Sequence, residues 1–253
     1  MAVDMLLSGL PVAAAETPEQ YALRMGDFHK ARGANTEACQ YYMQAVRLAP
    51  SDYLAHRALA QGYATLKKYE QAMSEVNKAI SLSPGDPKLF VDRGIYYIGL
   101  GKKGPAESDF KKAVLSPDCG HAVYKYLEDM YKDQGRLADA IAVCDLHIKR
   151  EANETTYREK GEFMAISKDH EGARQALTKA ISLAPLNYRN YELRADSYLA
   201  SGLAEQAVAD YSKALSLEPF FPSGIYQNRA RAYEKLGKKD LAEKDRKSSQ
   251  TKD

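Results

Sequence analysis

Four residues of zinc-binding type stand close together in two short phrases, Cys119 and His121 in "CGH" and Cys144 and His147 in "CDLH". A structural zinc site needs four such donors, each within about 2.0–2.3 Å of one tetrahedral ion. Cys144 and His147 lie along one helical stretch, whereas Cys119 falls in the connection before the preceding helix, so their geometry argues against a common ion. The expectation is no bound metal and a locally loosened or bent region. A second set is charged: Arg93 with Asp109, Arg194 with Asp210, and Arg229 with Asp245, each pair sixteen residues apart. A guanidinium offers a carboxylate two parallel N–H donors, so these pairs read as internal ion pairs rather than acid–base couples. There is no Gly-rich phosphate loop, no HExxH and no nucleophile elbow. The five histidines are scattered, and no catalytic residue or cofactor is expected.

The elements that must hold these residues come from a repeat. The phrase "KYEQAMSEVNKAISLSP" at residues 68–84 returns as "GLAEQAVADYSKALSLEP" at 202–219. Copies recur at about 34 residues, starting at Glu19, Tyr53, Pro87, His121, Glu154, Tyr188 and Ser223. The twentieth place is alanine in all seven: Ala38, Ala72, Ala106, Ala140, Ala173, Ala207 and Ala242. The twenty-seventh is alanine except at His147 and Ser249. Seven residues are two helical turns, so both alanines share a face and admit a neighbouring helix closely. Glycine near the fifteenth place, as at Gly33, Gly101, Gly135, Gly202 and Gly237, stops the first helix, and proline commonly follows the second. One such hairpin cannot bury its own apolar face, so copies must stack.

The pattern resembles the tetratricopeptide repeat over about nine-tenths of the chain. Its aromatic fourth place appears as Phe90, Tyr124, Tyr157, Tyr191 and Tyr226, its small eighth place as Gly26, Ala60, Gly94, Gly161, Ala195 and Ala230, and its eleventh as Tyr63, Tyr97, Tyr131, Tyr198 and Tyr233. Ala22 and His56 depart at the fourth place, and there is no tryptophan. The resemblance implies an all-α fold, a right-handed superhelical solenoid of seven helix hairpins, over residues 19–253. The last copy carries Arg246 where others are apolar and reads as a polar C-terminal cap. The fourth copy is irregular, with Glu128 at the small place, Cys144 at the aromatic one and His147 for alanine.

In proteins of this kind the first helices line a concave groove. Carried over place by place, the resemblance implies that Leu54, Arg57 and Gln61 face it from the second copy. Lys88, Val91, Ile95 and Ile98 come from the third, and Lys125 from the fourth. Val91, Ile95 and Ile98 would form an apolar strip flanked by Arg57, Lys88 and Lys125, suited to an apolar side chain beside an acidic group. The competing reading is that the strip is covered by the protein's own chain. The chaperone-binding subgroup holds a terminal carboxylate with Lys and Asn at the fifth and ninth places, Asn at the sixth of the next copy, and Lys and Arg in a third. Here those places hold Arg57, Gln61, Asp92, Ala122 and Tyr126, and Asp92 would repel a carboxylate.

Thirty-six basic residues against 34 acidic ones leave a net charge of +2, too even a balance to point to nucleic acid as the main partner. Three distant cysteines give no disulfide framework and suit the cytosol. Residues 1–18 contain an apolar run at 5–12 ending in Ala13–Ala15, too short to span a bilayer. It is either an apolar tail covering the first helix or the remnant of an export signal, which would place the protein in the periplasm or outside the cell. The function expected is a non-enzymatic scaffold or adaptor binding a protein or peptide in the groove. The alternative is a self-associating component of a larger assembly, such as one in a bacterial envelope; a metal-dependent enzyme would be suggested only by the fourth copy.

Overall fold

The computed structural model describes residues 16–251. Among them the secondary structure is wholly helical, with fourteen α-helices forming seven hairpins and no strand. They fall into two compact units that divide between Gly120 and His121. The first unit holds α1 (Pro18–Ala31), α2 (Asn35–Leu48), α3 (Tyr53–Thr65), α4 (Tyr69–Leu82), α5 (Pro87–Gly99) and α6 (Lys103–Ala113), closed by a single 3-10 turn at Pro117–Cys119. The second holds α7 (Ala122–Asp133), α8 (Leu137–Arg150), α9 (Glu154–Ile166), α10 (His170–Leu183), α11 (Tyr188–Ala200), α12 (Ala204–Ser216), α13 (Ser223–Lys235) and α14 (Lys239–Thr251). Within each unit, every hairpin packs on the next in chain order. The all-α fold and the seven helix hairpins expected from the period are therefore present, stacked in chain order within each unit. Helical structure begins one residue ahead of the expected boundary, where Thr17 and Gln20 form a reciprocal capping box at the start of α1. The apolar run at 5–12 lies outside the described residues.

All seven hairpin turns are built alike. The residue at the fifteenth place has positive φ, between 58° and 79°, and five of the seven are glycine. Lys67 and Lys168 adopt the same left-handed conformation with a side chain, which costs roughly 1–2 kcal/mol. The next residue's N–H then bonds back to the carbonyl at the eleventh place, as in Lys102 to Tyr97 and Arg136 to Tyr131 at 2.8 Å. That bond satisfies a carbonyl the helix end would leave open.

The alanines of the twentieth place are at most 1% exposed in every copy. The charged pairs join helices as expected: Arg93 Nε and Nη2 bond Asp109 at 2.7 and 2.8 Å, and Arg229 bonds Asp245 at 2.7 Å twice. A further contact is not legible from spacing within one hairpin. The remaining nitrogen, Nη1, reaches back to the second helix of the preceding hairpin, to Asn77 from Arg93 at 2.9 Å and to Ser212 from Arg229 at 2.9 Å. Each arginine therefore ties three helices. The final helix, α14, presents Arg246 outward, bonded to Glu234.

Candidate functional site

The first helices of unit one, α1, α3 and α5, lie side by side. Asp52 and Asp86 start α3 and α5 by accepting the N–H of Leu54 and Lys88 at 2.9 Å each. These caps set the helical phase of α3 and α5. Val91, Ile95 and Ile98 come at intervals of four and three and share one face of α5. Leu54 and Ile98 are 47% and 40% exposed, Lys88 is exposed, and Val91 and Ile95 are half-buried. Ile95 also packs against the core formed by Ala60, Ala72, Val76 and Tyr96. The strip is thus anchored at Ile95 and open at Ile98.

The polar residues beside it are linked across the helices. Arg57 Nε donates to Asp92 Oδ2 at 2.6 Å, Gln61 Nε2 donates to the same oxygen at 3.2 Å, and Lys30 Nζ on α1 donates to Gln61 Oε1 at 3.3 Å. Asp92 is 8% exposed. The charge of Arg57 is therefore answered within the wall. Beside this ladder the buried Tyr96 hydroxyl has no hydrogen-bond partner among the described residues; burial first, and the Asp92 charge second, push its phenol far up. Lys125 lies in the other unit, where its ammonium bonds Glu159 at 2.7 Å and Asp129 at 3.0 Å. Sequence reading missed both cross-links. Their signal was a fifth-place cation with an acid at the sixth place of the next copy: Arg57 with Asp92, and Lys125 with Glu159.

The irregular fourth copy forms a cleft of about 650 Å³ lined by His121, Lys125, Glu128, His147, Thr156 and Glu159, among others. Within it, α7 and α8 pack less closely than the two helices of the other six hairpins. Glu128, at a small-residue place, fills the room left by Cys144 at an aromatic one, and the thiol donates to its Oε1 at 3.4 Å. Burial first, and the neighbouring Glu159 charge second, raise the Glu128 carboxyl to about 7. Burial, with the Glu128 charge as the second cause, pushes the Cys144 thiol far up, which suppresses the thiolate a nucleophile needs. His147 stacks on Tyr124 at 4.4 Å, and its ring nitrogens lie 3.1 Å from His121 Nδ1 and 3.1 Å from Thr156 Oγ1. Burial, and after it the His121 charge, lowers it. Among the described residues no group of three or more His, Cys, Asp or Glu converges on a metal position. No described helix is long and apolar enough to cross a membrane.

Comparison with known proteins agrees with this architecture. A tetratricopeptide repeat family model matches residues 20–87 and 167–225, and a second tetratricopeptide repeat model matches 223–245. The chain is 30% identical over 209 residues to Hsp70-Hsp90 organizing protein 3 of Arabidopsis thaliana, covering 76% of this chain and 35% of that protein. It is 24% identical over 219 residues to the tetratricopeptide repeat and J domain-containing co-chaperone DNJ1 of Fusarium oxysporum f. sp. lycopersici, covering 81% and 41%. It thus spans less than half the length of these relatives. Its fold is similar to the crystal structure of the C-terminal part of a TPR repeat-containing protein from Cytophaga hutchinsonii, with a TM-score of 0.74 at 18% identity, covering 91% of this chain and 96% of that one. With the family models matching half of its residues, and with the turn, alanine stripe and hairpin order of each copy in place, this chain belongs to the tetratricopeptide repeat family.

Proposed function

We propose that this protein is a non-enzymatic adaptor whose first-helix wall in unit one receives a segment of a protein partner. The observation that carries this is the strip of Val91, Ile95 and Ile98, half-buried at Val91 and Ile95 and open at Ile98, with exposed Leu54 on the neighbouring helix, on a surface where Asp92 already answers the charge of Arg57. Exposed apolar side chains lose least by being covered, at about 25 cal/mol per Å² of area removed from water. The partner segment accordingly brings an apolar side chain to Ile98 and Leu54, with Lys88 and Gln61 at the margin for polar contacts.

Relatives named as an Hsp70-Hsp90 organizing protein and a co-chaperone support an adaptor role. The wall here is not laid out as a clamp for a terminal carboxylate, because Asp92 occupies Arg57 and would repel a second anion. The test is affinity capture with the full chain against Leu54→Asp/Ile98→Asp, both sites being exposed enough to leave the helical circular dichroism unchanged. Loss of a specific partner from the variant is expected. Identical partners for both proteins would refute the assignment.

A further inference from the structure

The connection from α12 to α13 departs from its counterparts. It runs over residues 217–222, where the one from α10 to α11 runs only over 184–187. Its Glu218 has a φ of 53°, and among the described residues it is the one non-glycine of positive φ outside the hairpin turns. The connection also gives up a cap. Five of the seven first helices begin on a side chain that accepts an early backbone N–H, as Asn187 does for α11, whereas α13 begins on Pro222 and has none. Backbone strain and a missing cap are both costs to the fold, and such costs concentrate where a local arrangement serves something other than packing.

What the connection builds is a pocket of about 370 Å³ within unit two, lined by Leu215, Glu218, Pro219, Phe220, Pro222 and Tyr226. Phe220 is 91% exposed, and Pro219 and Pro222 fix φ on either side of the Phe220–Phe221 pair, so a stiff backbone holds the ring at the rim. No lysine, arginine or histidine lines the pocket. The last turn of α12 and the first turn of α13 both touch it with dipole ends of opposite sign, so the Glu218 carboxylate sets its charge preference. Aromatic faces act in the same sense. The ring quadrupole attracts a cation, and the Tyr226 ring already holds the Arg229 guanidinium at 5.6 Å, an arginine that Asp245 neutralises through two bonds of 2.7 Å. A carboxylate, aromatic faces and proline walls together complement an organic cation with methyl or methylene groups beside its charge. We propose that this pocket binds an alkylammonium group, with Glu218 as its counter-ion and Phe220 and Tyr226 against its carbon atoms. The assignment is independent of the strip in unit one.

Aromatic-ring NMR of the full chain at constant ionic strength reads this with three probes: n-butylammonium, choline, and 3,3-dimethylbutan-1-ol as the uncharged counterpart of choline. Both cations should shift the Phe220 and Tyr226 ring signals saturably, with Kd values on the order of millimolar, and the alcohol should bind at least about fivefold more weakly. Glu218→Gln and Phe220→Leu should each weaken the cations at least about threefold. Phe221, 78% exposed but outside the pocket lining, supplies the control, and Phe221→Leu should bind as the parent does. All three positions are exposed, so the helical circular dichroism should not change. Tighter binding of n-butylammonium assigns the pocket to lysine-type amines, and tighter binding of choline to trimethylammonium groups. Four results would overturn the proposal. They are no saturable shift up to about 50 mM, equal binding of the alcohol, parent-like affinity in Glu218→Gln, and a loss in Phe221→Leu as large as in Phe220→Leu.

Discussion

Arg194 and Asp210 meet through two parallel hydrogen bonds, Nε to Oδ2 at 2.7 Å and Nη2 to Oδ1 at 2.8 Å, while Nη1 holds Thr178 Oγ1 of the preceding hairpin at 3.0 Å. The guanidinium also lies over the Tyr191 ring at 5.9 Å. One side chain therefore couples the hairpin to itself and to its neighbour. Arg194→Ala leaves Asp210 largely buried without its cation. A fully buried pair broken in this way costs about 3–5 kcal/mol, and the partial exposure here brings the expectation to about 2–3 kcal/mol. Arg194→Met/Asp210→Leu should lie much nearer the parent. Urea unfolding of the three proteins checks both statements.

Glu128 predicts a dependence on pH. Its folded value, raised to about 7, exceeds the ordinary 4.5, so the native state holds a proton that the unfolded chain releases. The stabilisation is complete below pH 4.5 and is lost as pH rises to 7, by about 3 kcal/mol across that window. Glu128→Gln cannot lose this proton. Thermal melts of parent and variant at pH 5 and pH 8 should show the variant's advantage growing with pH, and parallel curves would refute the assignment.

Lys67 and Lys168 occupy turns where five other copies use glycine. Replacing either lysine by glycine removes the steric cost of a Cβ at positive φ and should stabilise the protein by about 1 kcal/mol. Gly135→Ala, at φ 70°, should do the reverse. Denaturant midpoints measure both.

Ala106 is fully buried between helices. Ala106→Leu adds volume where no room exists and should cost about 1–3 kcal/mol. Leu115, 82% exposed, supplies the control: Leu115→Ala should leave the midpoint unchanged within about 0.5 kcal/mol.

The alanine stripe, the turn at the fifteenth place and the pairing of Arg93 with Asp109 were readable from the residues alone, because each recurs at fixed spacing within one hairpin and depends on local geometry. Contacts between hairpins were less legible. Arg57 and Asp92 belong to different copies, and their meeting depends on how α3 and α5 lie side by side. Glu128 shows the same limit: its spacing marked it as irregular, but only packing reveals that it fills the room beside Cys144.

By itself, then, the sequence determined the fold, since a 34-residue period with small residues two turns apart admits few arrangements other than stacked hairpins. Tertiary structure decided which charges remain open to a partner and which are spent on neighbours. Coulomb and hydrogen-bond terms turn on separations of a few ångströms between helices, and no spacing along a chain specifies those until the helices are packed.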